Sequence, residues 1–104
     1  MEILHTNTEE FENTLKQKQV VLVDFYANWC GPCKMLSPIL ETVSEQLPDN
    51  AVIAKLDIDE SLETAKQFGV MSVPTMIIFK DGKEVDRLVG LRQKDQIIDA
   101  IKNV

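Results

Sequence analysis

The 104-residue chain is 44% hydrophobic and 27% charged, with 17 acidic residues against 11 basic ones and a formal net charge of -6 at pH 7. These ordinary globular values exclude disordered, collagen-like and disulfide-scaffold classes. A chain of this length is expected to form one domain, residues 1–104, that buries roughly two thirds of its surface on folding. Its basic residues are scattered rather than stacked on one face, which argues against nucleic acid and anionic membranes as partners.

The first ten residues, Met1 to Glu10, have neither a basic opening nor an apolar stretch of signal-peptide length, and no later run could span a bilayer. A cytoplasmic location is therefore expected, where thiols are reduced by default. Ile3-Leu4 reads as a strand. Asn7 with Glu10 three residues on has a capping-box pattern, and Phe11 and Leu15 follow at helical spacing. Val20 to Tyr26 is β-branched and aromatic on both parities, the pattern of a strand covered on both faces beside parallel neighbours. It runs directly into Asn28-Trp29-Cys30-Gly31-Pro32-Cys33-Lys34.

Pro32 suits the first turn of a helix, whose buried stripe is expected at Met35, Leu36, Ile39, Leu40, Val43 and Leu47, with a kink at Pro38. After Pro48-Asp49-Asn50, the segment Ala51 to Ile58 reads as another central strand and completes a βαβ unit. Ser61 is placed to cap a third helix ending at Gly69. Pro74 to Phe79 is the next strand, Asp81-Gly82 a tight turn into Glu84 to Val89, and Ile97, Ile98, Ile101 and Val104 mark a closing helix. The order predicts an α/β fold with a mixed sheet and helices on both faces. The four glycines, Gly31, Gly69, Gly82 and Gly90, are isolated. No phosphate-binding loop exists, and bound nucleotide is not expected.

Cys30 and Cys33 are the only cysteines. A structural bridge closing so short a loop removes only about 2 kcal/mol of unfolded-state entropy. Zinc needs three or four ligands, and beyond the thiols the chain offers one histidine, His5, far away in sequence. Near neighbours in a core are a further reading. A reversible dithiol couple is the one that Cys-x-x-Cys takes beside a βαβ pattern. At the junction of strand and helix the Cys30 sulfur meets unpaired N–H groups and the positive end of the helix dipole, which favour the thiolate. Cys33, about one turn on, would lie beneath it facing inward. In that arrangement Cys30 attacks a substrate disulfide and Cys33 resolves the mixed disulfide.

Trp29-Cys30-Gly31-Pro32-Cys33-Lys34 resembles the active-site signature of the thioredoxin family. The likeness extends through Asp24-Phe25-Tyr26-Ala27, Ala54 to Asp59, Val73-Pro74-Thr75, and Phe79-Lys80-Asp81-Gly82 with Gly90. It implies a thioredoxin fold with about five strands flanked by about four helices. It further implies a protein disulfide reductase that is re-reduced by a thioredoxin reductase, with NADPH used only indirectly and no cofactor or metal bound. Implied targets are of the peroxiredoxin, methionine sulfoxide reductase or ribonucleotide reductase type, and nothing demands more than a monomer. An oxidase or isomerase, or a non-redox subunit of an assembly, are rival uses of the same fold. The sequence departs from the family at Tyr26, where many members carry a second tryptophan, and at Met71-Ser72, which replaces a basic–glycine pair. Both bear on the choice of reductase and targets rather than on chemistry.

Asp24 interrupts an apolar strand. It is either an acid at a solvated strand edge or, if buried, a base whose pKa desolvation has raised toward neutrality. The resemblance places it under Cys33 as proton acceptor, with Lys55 nearby to tune it, although Lys55 also reads as a snorkelling strand lysine. Pro74 is either an ordinary strand-start proline or, by resemblance, a cis proline beside the cysteines. With Gly31 and Pro32 it would shape the site. Trp29 is either core or, with Met71, Val73, Gly90 and Leu91, part of a shallow apolar surface for docking protein substrates.

Overall fold

The computed structural model describes residues 3–104. Among the described residues nine elements follow in order: β1 (Ile3–Thr6), α1 (Thr8–Gln17), β2 (Val20–Tyr26), α2 (Gly31–Glu45), β3 (Ala51–Asp57), α3 (Leu62–Gln67), β4 (Thr75–Lys80), β5 (Lys83–Val89) and α4 (Lys94–Lys102). The sheet runs in the order β1-β3-β2-β4-β5. β1, β3 and β2 are mutually parallel, and β4 and β5 add antiparallel.

The doubly apolar reading of β2 is borne out: it is the middle strand, and Val20 to Phe25 are all buried. Alternate side chains serve different layers, as the period-two pleat requires. Val20, Leu22, Ile53, Met76 and Ile78 face α2 and α4, where Leu36, Leu40, Val43, Ile97 and Ile101 close over them. Val21, Val23, Phe25, Leu56, Ile77 and Phe79 face α1 and α3 and meet Phe11 and Ala65. On that second face Phe68 stacks edge-on against both Phe11 and Phe79, at centroid distances of 5.8 and 5.4 Å.

Local signals set the ends of elements. The Asn7 side chain accepts the Glu10 N–H at 2.9 Å, and the Glu10 carboxylate accepts the Asn7 N–H. Asp81 and Gly82 both have positive φ, 52° and 84°, which a two-residue turn of type I′ between twisted strands needs. Two expectations need correction. Ser61 holds the N-cap position of α3, but its side chain makes no capping hydrogen bond. Met35 is not in the stripe of α2 but 62% exposed. At about 100° per residue it sits about 200° round from the inward-facing Cys33, and the buried face of the helix is Cys33, Leu36, Leu40, Val43 and Ser44. The helix continues through Pro38 to Glu45.

Candidate active site

β2 delivers the chain at its carboxyl end to Ala27, Asn28 and Trp29, outside the sheet edge where open α/β folds place their chemistry. α2 then starts at Gly31 with Cys30 as its N-cap. The Cys30 sulfur accepts the N–H of Cys33 at 3.1 Å. That N–H is one of the four at a helix start that have no partner within the helix, so sulfur here occupies the place of a capping oxygen. Pro32 fits the same first turn, since its missing N–H costs nothing there. Gly31 is exposed, and a methyl group on it would meet no atom within 4 Å.

Cys30 and Cys33 form a disulfide with Cα atoms 5.3 Å apart. Both residues are buried, so neighbours rather than exposure distinguish them. The Cys30 sulfur lies 3.6 Å from the Val73 carbonyl oxygen. Cys33 instead lines a pocket of about 110 Å³ together with Tyr26, Ala27, Ser37 and Lys55.

Asp24 is fully buried in the central strand, which rules out a solvated edge. It points to the α2 side, on the parity of Val20 and Leu22. Neither carboxylate oxygen has a hydrogen-bond partner among the described residues. Desolvation raises its pKa from 3.8 to about 6, against the lowering pull of the Lys55 charge. Lys55 is directly opposite in the parallel β2–β3 ladder, yet its Nζ stands 3.9 Å from the nearer Asp24 oxygen. The ammonium lies 4.6 Å from the centroid of the Tyr26 ring and donates to Ser37 Oγ at 2.9 Å. Ser37 Oγ in turn donates to the carbonyl of Cys33 at 3.3 Å. The lysine is therefore held beneath the dithiol rather than snorkelling freely to water. Sequence reasoning passed over Ser37, and it assigned Tyr26 to the choice of partners alone, whereas the ring lies against the Lys55 ammonium beside Asp24. Ser37 is four residues after Cys33 on α2, a spacing that could have flagged it as sharing that face.

The Val73–Pro74 peptide bond is cis. Pro74 is buried, and its carbonyl accepts the Gly90 N–H at 2.8 Å, which ties the strand after the hairpin to the loop beside Cys30. Trp29 is 69% exposed rather than core, with its indole N–H donated to Asp59 at 2.9 Å. Met71 is 96% exposed. Val73 and Gly90 are half-buried, and Leu91 leans on the α2–α4 core. Among the described residues no group of three or more His, Cys, Asp or Glu side chains is placed to hold a metal ion. No described helix is long and apolar enough to cross a membrane.

A sulfur that accepts a helix-start N–H is stabilised as a thiolate, and a second sulfur one turn away lets the bond between them open and close reversibly. This is the chemistry of a thiol–disulfide oxidoreductase. The Thioredoxin family model matches residues 2–103. Thioredoxin from Chlamydia muridarum is 60% identical over 82 residues, 79% of each chain. Thioredoxin from Staphylococcus saprophyticus is 45% identical over 102 residues, 98% of this chain and 97% of its own. Among solved structures, a mutant thioredoxin from Halobacterium salinarum matches with a TM-score of 0.93 and 43% identity, covering 98% of this chain and 89% of that one. The chain belongs to the thioredoxin family, whose members reduce protein disulfides by thiol–disulfide exchange and act with thioredoxin reductase and disulfide-containing targets.

Proposed function

We propose that Cys30 is the attacking sulfur and Cys33 the resolving one. The Cys30 thiolate attacks one sulfur of a target disulfide, forms a mixed disulfide and expels the other target sulfur as a thiolate. Cys33 gives its proton to Asp24 and attacks the Cys30 sulfur. The second target sulfur leaves, the Cys30–Cys33 bond forms, and two electrons have passed to the target. A thioredoxin reductase drawing on NADPH would restore the dithiol. The observation that carries the assignment is the Cys33 N–H on the Cys30 sulfur, because it favours negative charge on that sulfur and not on the other. The Asp24 carboxylate, buried on the α2 face of the sheet without a hydrogen bond and with its pKa raised to about 6, supplies the base in this reading.

The docking surface in this reading is Trp29, Met71, Val73, Gly90 and Leu91 around the cis Pro74, with extended segments of protein targets as its occupants. Peroxiredoxin, methionine sulfoxide reductase and ribonucleotide reductase are the target types proposed. A monomer working in the cytoplasm as one domain fits the same role. The experiment is the equilibrium reduction potential of the Cys30–Cys33 couple, titrated against a dithiol buffer and followed by Trp29 fluorescence. A value at or below about -220 mV supports a reductase, whereas about -120 to -180 mV, the range of oxidants and isomerases, overturns it.

A further inference from the structure

Lys55 could satisfy Asp24 fully, since the two are register partners on the same face of adjacent strands, but it does not. The ammonium stops 3.9 Å from the nearer oxygen and makes no hydrogen bond to the carboxylate. What it does bond is Ser37 Oγ, at 2.9 Å. The hydroxyl is oriented for this: its hydrogen is engaged by the Cys33 carbonyl one turn back in α2, which turns its lone pairs toward Lys55. The Tyr26 ring holds the ammonium from another side.

We propose that Ser37 is a positioning residue, a tether from the backbone of the second cysteine to Lys55 that keeps the ammonium off Asp24 and so leaves that carboxylate able to take a proton. A serine at this place sets the acidity of a group it does not touch. The link to catalysis rests on the reading of Asp24 as proton acceptor, but the tether itself is testable without it.

Lys55 approaches Asp24 from β3 and Tyr26 adjoins it on β2. Asp57 is buried on the Lys55 face of β3, opposite Tyr26, with its carboxylate accepting from the Asn28 side chain and the Asp59 N–H. α2 contributes the cysteines and Ser37. β4 places uncharged Met76 opposite, and α4 contributes the apolar Ile97 and Ile101 to the same layer. Beyond Lys55 a cleft of about 450 Å³ carries His5, Glu41 and Glu45, and its two carboxylates could draw a released ammonium the other way.

Substitution Ser37→Ala removes the tether, and its companion Ser37→Thr keeps the hydroxyl. The readout is the titration of the Asp24 carboxyl carbon, followed by 13C NMR in the oxidised protein, where the cysteines do not titrate. Closing the gap from 3.9 Å to hydrogen-bond contact lowers the midpoint by about one pH unit at an effective dielectric near 20. A fall in Ser37→Ala that Ser37→Thr restores supports the tether. An unchanged midpoint overturns it. So does a rise, which would mean that Lys55 moves toward Glu41 and Glu45, and so does an equal fall in both variants, which would make the effect one of packing. If the midpoint falls but resolution of the mixed disulfide keeps its pH profile, the tether stands and the role of Asp24 as proton acceptor fails.

Discussion

Asp24 and Lys55 are direct partners in the β2–β3 ladder, and their charged atoms nonetheless stand 3.9 Å apart, with both carboxylate oxygens unbonded in the core. An ionised acid so placed works against folding. Its pKa is raised from 3.8 to about 6, so between those values the native state holds more protons than the unfolded one. The stability associated with the neutral acid is complete below about pH 3.8 and lost as pH rises through 6. Asp24→Asn is therefore expected to exceed the parent protein by about 3 kcal/mol at pH 7 and to match it below pH 4. Urea unfolding at both pH values checks this, and equal curves at pH 7 would contradict it.

The same substitution is expected to slow resolution of the mixed disulfide by about 100-fold near neutral pH, the scale of a lost general base. Stopped-flow decay of a mixed disulfide formed on Cys30 measures the step separately from the first attack, which should be unaffected.

Cys33→Ser is expected to accumulate a stable mixed disulfide between Cys30 and a protein target, and Cys30→Ser to accumulate none. Non-reducing electrophoresis with mass analysis of the adduct reads both. An adduct on Cys33 in the second variant at a comparable rate would reverse the roles of the sulfurs.

Docking and chemistry are expected to separate at Met71. It is 96% exposed and makes no contribution to the core, so Met71→Glu should leave the reduction potential and the melting temperature unchanged. Its kcat/KM for a protein disulfide should fall about tenfold, the effect of removing a moderate interface contact. Turnover of a small aromatic disulfide serves as the control and should not change.

On the other face of the sheet, Phe11 is 2% exposed and packs edge-on against Phe68 and Phe79. Phe11→Ala is expected to cost about 3 to 5 kcal/mol, measured by denaturant unfolding, without altering the redox potential, because this layer lies across the sheet from the dithiol.

What the sequence determined by itself is whatever is written in short spacings. The Asn7–Glu10 box, the Asp81-Gly82 turn, the doubly apolar β2 and the three-residue step from Cys30 to Cys33 each involve residues within about one turn or one strand of one another. Covalent geometry alone relates such residues. These features placed the elements in order and put both sulfurs at a helix start. The tertiary structure decided what depends on helix phase and strand register. Met35 turned outward because Cys33 faces in, a matter of rotation that an apolar count along α2 does not reveal. Asp24 met Lys55, 31 residues on, only through the β2–β3 register. Ser37 reached that pair only because α2 lies across the same face. The Val73 carbonyl came to Cys30 from 43 residues away. Which polar groups are buried together, and which go unpaired, is set by the packing of layers. That is why the sulfurs were legible in the sequence, whereas the electrostatic setting of Asp24 emerged only from the fold.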